Sequence, residues 1–468
     1  MRDLKELTGY DIITEEKIPE VNGTGYILSH KKTKARVLVI ANDDENKVFN
    51  IGFRTPPYDD SGIPHILEHS VLCGSRKYPV KDPFVELAKG SLNTFLNAMT
   101  YSDKTVYPIA SCNEKDFENL MDVYLDAVFY PNIYEHTEIM RQEGWHYELE
   151  TVEGELIYNG VVFNEMKGAF SSPEQQMYSK IEKLLLADTP YKNESGGDPA
   201  AIPTLSQERF LDFHRKYYHP SNSYIYLYGD LDMYKELDYI DKEYLSSFDY
   251  REIDSTIAVQ TAYEQMKDES CFYSIAENES EGNQTFLTYN MVVGSSLDKK
   301  QSVAMNILEY AIMDAPGAPL KKALVDAGIG EDVFASFDDG IRQTIFSIVA
   351  RNANMSDKER FVSVIRDTLT DLSGHGEEGK AINRTSIEAA INNFEFKHKE
   401  ANFGRFPKGL MMGLDAFNTW LYDDASALEM FKLNEVYDEL KESLKTGYFE
   451  ELIRKYLLDN PFEAVITV

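Results

Sequence analysis

Only three cysteines occur in 468 residues, Cys73, Cys112 and Cys271, too scattered for a disulfide framework or a CxxC metal knuckle. They read as ordinary buried thiols. Positive charge is also scarce. With 47 Lys and Arg against 79 Asp and Glu, the net charge is -32, which excludes nucleic acid as a partner because a phosphate-binding surface needs cations in excess. An acidic surface favours cationic partners or simply keeps the protein soluble. No run of about 18 apolar residues appears, so no membrane-spanning helix is expected. The N-terminus, MRDLKELTGYDIITEEKIPE, lacks both the apolar core of a secretory signal and the acid-poor, Arg-rich character of a transit peptide. A cytoplasmic location is therefore expected, or an organelle matrix if a transit peptide has been removed.

What is present is ample apolar material. A hydrophobic content of 43% over this length supports two ordinary cores. Strand-like runs at Val37–Ala41 and Val48–Phe53 alternate with helical patterns. In the stretch Glu114–Phe129, Phe117, Leu120, Met121, Tyr124, Leu125 and Val128 follow the three-and-four spacing of one buried face. After another strand candidate, Tyr224–Tyr228, comes a polar stretch, Ser246–Ser270, with little periodicity, which predicts an interdomain linker over 249–270. A second interleaved unit follows, with strands at Gln284–Val293, Thr344–Ala350 and Glu463–Val468. Its helices are expected at Lys300–Asp314, Asp357–Leu372 and Thr385–Glu400. The similar element order of the two units suggests a duplicated domain.

The chemistry lies in the first unit. The segment DSGIPHILEHSVLCG, residues 60–74, reads as a short helix capped by Asp60 or Ser61, with Pro64 in its first turn and Gly74 at its exit. Ile63, Leu67 and Val71 stack toward a core, while His65, Glu68 and His69 share another face. Two imidazoles at that spacing can bind one zinc while the carboxylate between them takes a proton from water. The pattern HxxEH is the inverse of HExxH, and roughly 0.03 such matches are expected by chance in a chain of this composition. A catalytic zinc usually needs a third protein ligand. His146 in RQEGWHYELE and Glu165 in GVVFNEMKG are both candidates on the residues alone. His214 and His219, spaced i, i+5 and ending against Pro220, do not suit two ligands on one helical face and read as structural.

Five segments, PHILEHSVLCGSRKYPVKDPFVEL, GSLNTFLNAMTYSDKTVYP, RQEGWHYELE, GVVFNEMKGAF and YYHPSN, together resemble the pitrilysin and insulinase superfamily of inverted-motif zinc peptidases, within it the presequence protease branch. GAPLKKALVDAGIG resembles part of the family's second domain. The resemblance implies an α+β fold of two homologous domains, each a mostly antiparallel or mixed sheet covered by helices. The expected division is a zinc-binding peptidase domain over 1–248, the linker, and a non-catalytic domain over 271–468.

The resemblance selects Glu165, 96 residues beyond His69, as third ligand of one zinc ion per chain, beside His65 and His69. It makes Glu68 the general base and places a substrate-binding edge strand at Leu92–Thr100, with Asn97 and Ala98 near the cleaved bond. The implied function is zinc-dependent endoproteolysis of unfolded peptides, basic ones being favoured by the acidic chain. Members of that branch carry two further domains that supply an Arg and a Tyr to the reacting carbonyl. The implied partner is therefore a C-terminal half of the same polypeptide or a partner subunit. The alternative is a non-catalytic or weakly active chain that binds zinc and peptide and needs that second half for turnover.

Overall fold

The computed structural model describes residues 2–81, 83–376 and 381–468; Met1, Asp82 and residues 377–380 lie outside it. The chain forms two compact units. The first takes Met1–Phe170, Asn193–Ile257 and Phe403–Phe431, and the second takes Ser171–Lys192, Ala258–Asn402 and Lys432–Val468. Each is a largely antiparallel sheet wrapped by helices, the α+β architecture expected. Two segments depart from a simple division of the chain at a linker: 171–192 belongs to the second unit and 403–431 to the first.

The strands of the first unit are β1 (Tyr10–Ile18), β2 (Gly23–His30), β3 (Arg36–Ala41), β4 (Lys47–Arg54), β5 (Asn93–Leu96), β6 (Met99–Thr100), β7 (Lys104–Ser111), β8 (His146–Glu148), β9 (Ile157–Asn159) and β10 (Ser223–Gly229). The main sheet runs β1-β2-β3-β10-β4-β7-β5, with β6 also on β7. Its pairs are antiparallel except β3 with β10. β8 and β9 form a separate two-stranded hairpin. The helices are α1 (Ile63–Val71), α2 (Pro83–Gly90), α3 (Glu114–Phe129), α4 (Thr137–Glu143) and α5 (Val161–Ala169). After α6 (Pro173–Leu185), which belongs to the second unit, come α7 (Gln207–Tyr217) and α8 (Met233–Glu243).

Both faces of the main sheet are covered, which explains why its central strands are apolar throughout. Val37, Val39, Phe49 and Ile51 point to the core shared with α1, α3, α7 and α8. Leu38, Ile40 and Val48 point the other way, to a core shared with residues 410–431. Every apolar residue expected on the buried face of α3 is buried.

The second unit holds β11 (Lys267–Ser270), β12 (Thr285–Val292), β13 (Asp332–Asp338), β14 (Ile345–Ala353) and β15 (Glu463–Thr467), in the order β11-β15-β12-β14-β13. Its helices include α9 (Lys299–Glu309), α10 (Pro319–Asp326), α11 (Lys358–Leu372) and α12 (Arg384–Glu400). The predicted elements of this unit therefore fall within three residues of the observed ones, β14 running three residues past the expected end at Ala350, except that 310–314 forms a π-helical turn after α9.

Three local expectations are corrected. The cap of α1 is Gly62 in the left-handed region (φ 70), not Asp60 or Ser61. A Cβ there would meet the Gly196 carbonyl oxygen at 2.8 Å, so both space and φ require glycine. Asp60 instead accepts the Glu194 amide with its carboxylate and the Asp198 amide with its carbonyl. The expected linker ends in a strand, β11, which pairs in parallel with β15, and Ser255, Ile257 and Gln260 within it are buried. Finally, Cys112 is exposed and Cys73 and Cys271 are half-buried, so none of the three is a buried core thiol.

Candidate metal centre

The apolar side of α1 fixes the direction of its polar side. Ile63, Ile66, Leu67 and Val71 are buried in the core, and the helix packs against α4, α7, β6 and β7. That leaves His65 and His69 half-buried, with their rings 5.0 Å apart in a T-shaped arrangement. Helix α5 faces them. Glu165 Oε2 lies 3.7 Å from Nε2 of His65 and 3.7 Å from Nε2 of His69.

The other ring nitrogens are also engaged. His65 Nδ1 donates to the Gly196 carbonyl at 3.1 Å, and His69 Nδ1 donates to Glu143 Oε2 at 3.4 Å. Both imidazoles therefore hold their Nε2 lone pairs toward Glu165, the tautomer a metal ligand needs. One donor atom from each of His65, His69 and Glu165 falls within 4.8 Å of the other two. Tetrahedral zinc with bonds near 2.1 Å would bring such donors to about 3.4 Å from each other, so a small closure of the observed triangle suffices. Two imidazoles and one carboxylate suit zinc chemically.

The electrostatics favour a cation. Burial opposes charge on His69, but the Glu143 hydrogen bond and the carboxylates of Glu68, Glu143 and Glu165 outweigh it and raise its pKa above the ordinary value. Glu143 is desolvated, yet the His69 and Gln142 hydrogen bonds hold its carboxyl below the usual range. Glu68 is buried and is not one of the three converging donors. Its charge is felt by Tyr101, Tyr107, Tyr124 and Tyr218, whose hydroxyls burial first of all holds in the neutral form.

His146 is not in the cluster. It sits on β8 with Nδ1 bonded to the Arg141 carbonyl. His214 is buried, with Nε2 donating to the Val128 carbonyl at 3.0 Å and Nδ1 accepting from the Tyr134 hydroxyl at 2.7 Å. His219 accepts the Ser221 amide. Both therefore do structural work.

The stretch Leu92–Thr100 lies at the sheet edge as two short strands, β5 and β6, interrupted at Asn97–Ala98. There the Asn97 carbonyl accepts the Tyr124 hydroxyl at 3.2 Å, Asn97 is exposed and Ala98 is buried.

Glu143 and the Gly196 carbonyl have no spacing signature relative to HxxEH and were not singled out from the sequence. Glu143 lies in RQEGWHYELE, three residues before His146, and only the packing of α4 on α1 reveals its role. Chain geometry then links α4 to α5: a Cβ on Gly160 would lie 2.2 Å from the Gly144 carbonyl oxygen, so the chain returns after the β8–β9 hairpin to the place it left. A second carboxylate group, Glu114, Glu118 and Glu236, already surrounds a cation of the chain, since the Lys235 ammonium pairs with Glu114 at 3.2 Å and with Glu118.

Comparison with known proteins agrees with this geometry. Residues 48–179 match the model of the insulinase family, peptidase family M16, and residues 204–394 match that of the peptidase M16 inactive domain. Protein HypA of Clostridium perfringens is 50% identical over 98% of this chain and 47% of its own length. Presequence protease 1 of Arabidopsis thaliana is 41% identical over 99% of this chain and 43% of its own length. The chain thus spans about half the length of the curated relatives it matches. A protease structure from Helicobacter pylori superposes with a TM-score of 0.70 at 16% identity, covering 95% of this chain and 99% of that one. The chain has a metal-dependent peptidase fold with one active-like and one inactive-like domain.

The expected cytoplasmic location is corrected by these comparisons. The Arabidopsis relative is named chloroplastic/mitochondrial, and the Xenopus tropicalis presequence protease is named mitochondrial. Among the described residues, no helix is long and apolar enough to cross a membrane.

Proposed function

The chain belongs to the insulinase, or M16, peptidase family, in its presequence-protease-like branch, and from that premise we propose that it hydrolyses unstructured oligopeptides as a zinc-dependent endopeptidase. The observation that carries the reading is the convergence of His65, His69 and Glu165 beside the buried carboxylate of Glu68.

Zinc bound by these three side chains supplies Lewis-acid polarisation of a water and of the scissile carbonyl. His65 and His69 present Nε2 because the Gly196 carbonyl and Glu143 hold Nδ1–H. Glu68, one residue before His69 on the same helix, takes the proton of the attacking water and returns it to the leaving amine. The peptide adds as a further strand along β5 and β6. The interruption at Asn97–Ala98 positions the bond to be cut, and backbone pairing makes recognition tolerant of sequence. The test is cleavage of an unstructured peptide by the zinc-loaded chain, with chelation abolishing it and zinc restoring it.

The length relation to HypA and the presequence proteases favours a second reading, in which this chain binds zinc and peptide but turns over slowly until a further half or partner stabilises the transition state. Zinc uptake without cleavage by the chain alone would select it.

A further inference from the structure

Strand β7 contains a proline, Pro108, although it lies inside the sheet, between β4 and the edge formed by β5 and β6. A proline there removes one donor from the ladder, and the register shows which bond is lost. Leu96 pairs with Ile109 and Met99 with Val106, so Asn97 and Ala98 lie opposite Pro108 and Tyr107 with no residue gained or lost between them. The Asn97 N–H donates to the Pro108 carbonyl at 3.4 Å. In an antiparallel ladder the facing residue returns the bond, and Pro108 has no N–H with which to return it. The interruption of the edge at Asn97–Ala98 thus has its cause in the neighbouring strand.

A side chain of α3 supplies the missing donor. The Tyr124 hydroxyl donates to the Asn97 carbonyl at 3.2 Å. Tyr124 is fully buried, its ring stands edge-on to Tyr107 with centroids 6.3 Å apart, and the Tyr107 and Tyr218 hydroxyls are bonded at 2.8 Å. Burial, and after it the charge of Glu68, holds the Tyr124 phenol in its protonated form, so the donor is retained at neutral pH.

The consequence passes through one peptide plane. The unit that holds the Asn97 carbonyl also holds the Ala98 N–H, and in a trans peptide the two point in opposite directions. None of the described peptide bonds is cis. Holding the carbonyl on Tyr124 therefore turns the Ala98 N–H to the other side, away from α3, and among the described residues that N–H makes no hydrogen bond.

Resting on the peptidase reading above, in which a peptide adds along β5 and β6, we propose that Tyr124 is a positioning residue for the bond to be cut: it gives Asn97 the hydrogen bond that Pro108 cannot, and so presents the Ala98 N–H to the added peptide. Tyr124 itself touches neither peptide nor metal. It acts through the Asn97 carbonyl.

The test reads the Ala98 amide directly. Asn-Ala occurs only at 97–98 and 352–353, so a chain labelled with carbonyl-13C Asn and 15N Ala shows just these amides in a carbonyl-selected spectrum, and Asn97→Asp identifies the first. The zinc-loaded Glu68→Gln chain is titrated with an unstructured peptide, beside the same chain carrying Tyr124→Phe, which keeps the ring and removes only the hydroxyl. The Ala98 signal is expected to move as peptide binds, and its response to fall at least about twofold in Tyr124→Phe at equal saturation. Adding Pro108→Ala to Tyr124→Phe puts an N–H back into the ladder and is expected to restore the response, which a loss of packing alone would not allow. With Glu68 intact, Tyr124→Phe is expected to lower kcat about tenfold while KM stays within about twofold. An Ala98 signal indifferent to peptide, an equal response in Tyr124→Phe, no rescue by Pro108→Ala, or an unchanged kcat overturns the proposal. The first of these outcomes needs no change at Tyr124 and so does not depend on how that variant folds. Cleavage by the unmodified zinc-loaded chain reports separately: no cleavage counts against the peptidase reading, whereas cleavage with an Ala98 signal indifferent to peptide counts against the role of Tyr124 alone.

Discussion

Glu143 Oε2 lies 3.4 Å from His69 Nδ1, on the side of the imidazole opposite Glu165. The contact fixes which nitrogen of His69 faces the donor cluster, and Gln142 Nε2 holds the other carboxylate oxygen at 2.9 Å. A carboxylate behind a histidine in this way orients the ring and raises its basicity. Replacing it with Gln keeps the shape and removes the charge. Glu143→Gln is expected to weaken zinc binding by about 10–100-fold with little change in thermal stability, measured by competition with a chelator of known affinity.

Glu68 is not among the converging donors, so its loss and a ligand's loss should separate. Glu68→Gln is expected to retain zinc while peptide cleavage falls by about 10²–10⁴-fold. Cleavage rates and metal content on the same preparation check this. Retained cleavage would remove Glu68 from the mechanism.

His214 makes stability depend on pH. Burial pushes its pKa down to about 4 from 6.5, since the neutral ring satisfies both nitrogens with Val128 and Tyr134. Between those two values the unfolded chain binds the proton and the folded chain does not. Stability is therefore full above pH about 6.5, falls as pH drops toward 4, and loses no more from this group below that. The size is about 3 kcal/mol. Urea unfolding at several pH values should show this slope, and His214→Gln, less stable at neutral pH, should show a shallower one over the same window.

Helix α13 (Lys408–Trp420) tests the exchanged segment. Gly409 and Gly413 sit where a Cβ would meet the rings of Tyr228 at 2.1 Å and Tyr226 at 2.2 Å, and both rings are fully packed. The two glycines, one turn apart, let the helix lie directly on the sheet. Gly413→Val should therefore cost about 1–3 kcal/mol by overpacking, read as a lower urea midpoint with zinc content unchanged.

Much of this was legible in the residues because period and burial coincide. The face of α3 was readable from Phe117 to Val128 because one side of that helix meets the core and the other meets solvent. HxxEH was readable because i, i+3 and i+4 neighbours are set by the helix itself. The choice of Glu165 over His146 needed resemblance, because it depends on how α5 packs beside α1. Glu143 was invisible for the same reason. The cap at Gly62 depended on the close approach of Gly196, 134 residues away. The exchange of 171–192 and 403–431 between units was also hidden, since an amphipathic segment such as α6 records that it has an apolar face but not which sheet it covers.

His65, His69 and Glu165 are proposed to build a single zinc site. The most direct measurement is elemental analysis of the purified chain after zinc loading and removal of excess, beside His69→Ala and Glu165→Gln. About one zinc per unmodified chain is expected, with a strong reduction in both variants and folding retained. An unmodified chain that takes up no zinc, or variants that hold it as well as the unmodified chain, would contradict it.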